Sequence, residues 1–118
     1  MSNYFVTIPV YGINGICYRF VLYQESKEND NRPDLFIVCS LFTNKDNTVE
    51  YTPKKIAYTE NFSKTSQTHD LLNPFNLEQG IAVVRYLDGA PTDKGLKDIK
   101  EDILQNTIRY IGLIEFNP

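Results

Sequence analysis

One histidine is present, His69, and it stands beside Asp70 in a polar stretch that also holds Ser63 and Ser66. Those types are the base, orienter and nucleophile of a small hydrolase. No G-x-S-x-G elbow accompanies them, and side chains adjacent in sequence rarely reach triad geometry. The plainer reading is a solvated loop histidine, with a hydrolase using His69 kept as an alternative. Cys17 and Cys39 lie in predicted strands without CxxC spacing and are expected as buried free thiols. Together with one histidine they fall short of the ligand set of a zinc site, so no metal and no cofactor is expected. Asp98, Glu101 and Asp102 cluster on one segment, where helical spacing assigns them to a solvated face.

Two further stretches carry binding chemistry. VVRYLDG at 83–89 and TIRYIG at 107–112 each place Arg-Tyr after β-branched residues and shortly before a glycine. Arginine grips phosphate in a bidentate fashion and tyrosine stacks on bases. Arg85, Tyr86, Arg109 and Tyr110 are therefore the candidate residues of an anion or nucleotide pocket. The bland alternative pairs Arg85 with Glu78 or Asp88, and Arg109 with Asp102 or Gln105, in solvent. No P-loop, G-x-G-x-x-G or kinase signature is present.

The whole chain bounds these possibilities. Its 118 residues suit one domain spanning 1–118, and 42% apolar with 23% charged residues is the composition of an ordinary globule. A net charge of -3 and a pI near 5.1 speak against binding duplex nucleic acid, where phosphate neutralisation supplies most of the affinity. No apolar run is long enough for a membrane helix, and MSNYFVTIPV lacks the features of a secretory signal. No membrane association and a cytoplasmic setting are the expectations. Abundant Asn, Ile, Lys and Tyr with scarce Ala are typical of AT-rich genomes, including those of phage and low-GC bacteria.

The elements that would position these residues begin as strands. Tyr4 to Val10 alternates, YGINGI offers an Asn-Gly hairpin turn, and Ile16 to Tyr23 returns. Pro9 lacks a ladder donor and predicts an edge or a bulge. Residues 24–34 read as a loop. LFIVCSLF at 35–42 is apolar on both faces and belongs centrally in a sheet. Val49 to Thr52 and Lys54 to Phe62 read as two shorter strands separated by Pro53, and 63–75 as a loop. For 81–87 the strand and helix readings compete. Asn76 as N-cap, Gln79 at the capping-box position, Gly89 and Pro91 favour the helix, while Gly80 and the β-branched residues oppose it. A strand would instead place Arg85 with Ile81, Val83 and Leu87. Leu96, Ile99, Ile103, Thr107, Tyr110 and Ile111 then predict an amphipathic helix from Asp93 to Ile111, with Gly112 as its stop.

The expected fold is therefore α+β: an antiparallel sheet of about five strands (1–62), followed by two C-terminal helices (a helical hairpin over 76–116) packed on one face. Such an outline resembles some phage proteins that sequester cyclic nucleotides as oligomers. The resemblance implies sequestration of a small nucleotide, with Arg85 and Arg109 the residues that would hold its phosphates. Eight Tyr and seven Phe, with only one sheet face covered by helices, favour another reading. Tyr4, Tyr11, Tyr18, Tyr23, Tyr51 and Tyr58 would lie on the other face or its rim, as an interface for a protein partner or for a second copy in a homo-oligomer. The leading expectation is a non-catalytic binding protein acting stoichiometrically through that face, such as an inhibitor from a phage or mobile element.

Overall fold

The computed structural model describes residues 7–22, 33–62, 80–87 and 93–116. Six strands form one mixed sheet: β1 (Thr7–Tyr11), β2 (Cys17–Leu22), β3 (Asp34–Thr43), β4 (Val49–Thr59), β5 (Ile81–Tyr86) and β6 (Ile114–Glu115). Their spatial order is β1-β2-β5-β3-β4-β6. All neighbours are antiparallel except β4 and β6, which run parallel. One helix, α1 (Asp93–Leu104), packs across β3 and β4.

This corrects the expected α+β arrangement of five antiparallel strands under two C-terminal helices. Among the described residues there is a single helix, and the sheet includes a parallel pair. Segment 81–86 is strand, inserted between β2 and β3. Gly80 has φ 77°, a conformation foreign to a helix interior, and its carbonyl accepts the Leu41 N–H at 2.8 Å. Val84 then gains a ladder on both sides, and Ile81 and Val83 one against β3, in the extended backbone that β-branched residues favour. The outline behind the resemblance to nucleotide-sequestering phage proteins is accordingly not found.

The two short strands expected around Pro53 are one. The register against β3 jumps between Val38 and Cys39, leaving Lys54 as the extra residue of a bulge. Both prolines fit the hydrogen-bond geometry. Tyr11 donates and accepts on the side of β1 away from β2, so Pro9, two residues earlier, also points outward and forfeits no ladder bond. Asn44 and Thr48 face each other across the β3–β4 turn, which makes Val49, Tyr51 and Pro53 the outward-facing residues of β4 up to the bulge.

Alternation along the strands sorts the core into two layers. On the α1 side lie Ile8, Val10, Phe20, Leu35, Ile37, Cys39, Ile56 and Val84, with Leu96 and Ile103 of the helix over them. On the other side Phe36, Val38, Ala57, Phe62 and Val83 are buried together, with Ile81 and Phe116 packed against them. Strand β3 is thus covered on both faces, as its uninterrupted apolar run requires. The second layer is the protein's own core, not the bare apolar face expected from the tyrosine count.

Candidate functional site

The β1–β2 turn, Gly12 to Ile16, closes through Gly12 N–H to the Ile16 carbonyl (3.0 Å), with Gly15 at φ 81°. The turn is held against the last turn of α1 by one residue, Asp102. Its Oδ2 accepts the Tyr18 hydroxyl at 2.6 Å, and its Oδ1 accepts Asn14 Nδ2 at 2.9 Å and the Asn14 N–H at 3.3 Å. The Asp102 carbonyl takes the Ile13 N–H at 2.9 Å. Only 9% of Asp102 is exposed, and its carboxylate occupies the space beside Gly12 that a side chain would need. This corrects the sequence reading of a solvated acidic trio: Asp98 and Glu101 are exposed, whereas Asp102 lies at the margin of the Leu96–Ile99–Ile103 stripe and turns inward.

The helix ends at Leu104, not at Ile111. Asn106 is the reason, since its side-chain amide donates to the carbonyls of Tyr11 (2.9 Å) and Gly12 (3.4 Å). Tyr110 then accepts the Tyr11 N–H at 2.8 Å, and the Arg109 guanidinium stacks on the Tyr11 ring at 4.3 Å. Segment 105–112 is therefore clamped along the end of β1. Its apolar residues face outward. Ile108 is 86% and Ile111 80% exposed, and Ile13 and Ile16 of the adjacent turn are exposed as well.

The Arg-Tyr candidates do not converge. Arg85 lies in β5, ion-paired with the buried Asp34 and stacked at 3.7 Å on Phe62. Arg109 is held on β1, with β2 between the two strands. Tyr86 sits on the helix side, edge-on to Phe20 and Tyr18 at centroid distances of 5.8 and 6.4 Å. Of the proposed interface tyrosines, Tyr18, Tyr51 and Tyr58 pack against the helix-side core, Tyr58 with Lys97 5.0 Å from its ring. Tyr4, Tyr23 and His69 lie outside the described residues, as do Ser63, Ser66 and Asp70. Cys17 is exposed, contrary to expectation, while Cys39 is buried, and both are free thiols. No three acidic, His or Cys side chains gather as a metal site among the described residues. The contributors that the sequence reading missed are Asp102, Gly12 and Asn106.

Three groups of this architecture resist ionisation, among them Tyr51, whose phenol is pushed up by burial and then by Cys39. Burial, then the hydrogen bond to and charge of Asp102, then Tyr86, push the Tyr18 phenol well above its ordinary 10.0. Burial pushes the Cys39 thiol from 9.0 up to about 12. All three are acids whose folded value is raised, so their contribution to stability is full below the unfolded value and is lost as pH rises through the folded one. The denaturant midpoint should hold steady up to the thiol's ordinary 9.0 and then decline towards 12. Removing two of these groups with Cys39→Ala and Tyr18→Phe should make that limb shallower, Tyr51 remaining; an unchanged slope would contradict the assignment.

Comparison with known proteins gives no match to a family model, to a curated protein or to a solved structure.

Proposed function

We propose that this is a small non-catalytic binding protein that engages a protein partner stoichiometrically, as an inhibitor would, through the hairpin end of its sheet. One observation carries the reading: Ile108 and Ile111 are almost wholly exposed on a segment whose backbone is clamped to β1. Scattered exposed aliphatics are common, but here they flank an arginine stacked on a tyrosine, next to Ile13 and Ile16. Arginine and tyrosine are the residue types enriched at binding hot spots. A clamped backbone also lowers the ordering entropy that association would otherwise cost. The partner surface is the end of the sheet and not a face, because both faces are occupied by the chain's own core. No helix among the described residues is long and apolar enough to cross a membrane. A cytoplasmic setting belongs to the same proposal.

The test compares the protein with its Ile108→Ser/Ile111→Ser variant. Proteins retained by each from extract of the source cells are identified, and any retained only by the parent is purified and titrated by calorimetry. A one-to-one complex is expected, weakened at least about thirty-fold in the variant, which corresponds to roughly 2 kcal/mol of lost apolar burial. Equal binding by parent and variant, or no protein that reconstitutes a complex, would overturn the reading.

A further inference from the structure

The sheet has two outer edges, and they are finished differently. An unpaired edge strand offers a row of N–H and C=O groups to any second strand, and native proteins usually blunt it. On β1 the blunting is complete at its C-terminal end: Pro9 has no outward N–H, and the outward N–H and C=O of Tyr11 are taken by Tyr110 and Asn106. On the other side β6 covers β4 only at Lys55 and Ile56, with Phe116 N–H on the Ile56 carbonyl at 2.8 Å. Upstream of the bulge, among the described residues, nothing pairs with the outward N–H and C=O of Val49 and Tyr51 or with the outward C=O of Pro53.

We propose that this stretch of β4 pairs with the same stretch of a second copy, antiparallel and centred on Tyr51, joining two sheets into one. The edge is self-complementary in that register. Tyr51 exchanges both hydrogen bonds with the partner's Tyr51, and Val49 N–H donates to the carbonyl of the partner's Pro53, where the missing proline donor costs only one bond per side. On one face Val49, 46% exposed in the isolated chain, comes against the partner strand at Pro53, whose own ring is already buried within its chain. On the other, Glu50 stands opposite the partner's Thr52. Lys54 reaches the partner's Thr48 turn, where the exposed Asp46 supplies a carboxylate. Shifting the pairing so that it centres on Glu50 would set two carboxylates face to face, which is unfavourable across strands. Charge thus opposes the Glu50-centred register. A Thr52-centred one, though it sets Glu50 opposite the partner's Lys54, keeps only the two Tyr51 N–H bonds to Pro53, because β6 covers Lys55. The two-fold pairing on Tyr51 closes on itself instead of propagating into a fibre. The contact involves no residue of the hairpin end, so it is independent of the binding surface proposed above.

Sedimentation and light scattering over a concentration series test it, with three variants. The parent should show twice the 13.6 kDa chain mass. Tyr51→Pro removes an outward N–H without touching the β3 ladder, and Thr52→Glu places a carboxylate against the partner's Glu50 without entering the core. Each should shift the dimer to monomer by at least tenfold in dissociation constant. Tyr51→Cys, in a Cys17→Ser background, should cross-link to itself under mild oxidation, since directly opposed strand residues bring their Cα atoms within disulfide range. Ile108→Ser/Ile111→Ser should leave the dimer mass unchanged. A parent that stays at the single-chain mass up to its solubility limit would overturn the proposal. So would a dimer that Thr52→Glu leaves equally tight while Tyr51→Cys fails to cross-link.

Discussion

Gly12→Ala is expected to lower the unfolding free energy by about 3 kcal/mol, whereas Gly15→Ala in the same turn should lower it by only about 1 kcal/mol. The contrast comes from where each glycine stands. A Cβ on Gly12 would fall 1.9 Å from Asp102 Oδ2, inside the carboxylate. Asp102 cannot retreat without leaving the Tyr18 hydroxyl and the Asn14 amide, and buried polar groups left without partners lose about 1–3 kcal/mol each. Gly15 faces open space, so alanine there suffers only the backbone strain of φ 81°. Urea unfolding of both variants reads the difference, and the Gly12 variant should melt about 10 °C lower. The cause is isolated by a double-mutant cycle. With Asp102→Ala already present, adding Gly12→Ala should cost less than about 1 kcal/mol, because the colliding carboxylate is gone. Additive losses would show that Asp102 is not what fills the site.

Much of this fold was legible, for local reasons. Asn-Gly between two alternating runs set the β1–β2 hairpin, Pro9 marked an edge strand, and an apolar run at 35–42 placed β3 centrally. In each case the signal is carried by the residues themselves. What failed was long-range. Segment 81–86 has credible helix caps around it, and only the presence of β2 and β3 on either side makes strand the better state. Pro53 read as a break because its missing N–H was charged to the ladder; it points outward, beside a bulge. The helix period continues through Tyr110 and Ile111, but Asn106 donates its side chain to Tyr11 and Gly12 and ends the helix near Leu104. That choice also converts one apparent core position, Ile111, into one of the most exposed apolar residues of the hairpin end, beside Ile108. The inward turn of Asp102 was the least visible feature. Its flanking position on the apolar stripe was available, but the partners that make burial tolerable lie on another element.

The largest losses should come from β3, where neighbouring residues enter opposite layers. Phe36 is fully buried with Val38, Ala57, Phe62 and Val83, its ring edge-on to Phe62 at 5.9 Å, and Ile37 is fully buried beneath α1. Truncating a well-packed phenylalanine in a core removes about 3–5 kcal/mol, and an isoleucine about 2–5 kcal/mol. Either is a large share of the roughly 5–15 kcal/mol that holds a domain folded. The two substitutions together ask whether the sheet is covered on both sides by its own chain, which is the premise for assigning recognition to the edge and the hairpin end. An apolar face reserved for a partner would be wet in the free protein, and Phe36→Ala would then matter little until the partner arrived. The direct measurement is urea unfolding of Phe36→Ala and Ile37→Ala beside the parent, at protein concentrations low enough to keep the chain monomeric. Losses of similar size for both, each above about 2 kcal/mol, are predicted. A Phe36→Ala variant within about 0.5 kcal/mol of the parent, the range of an ordinary surface substitution, would contradict the account.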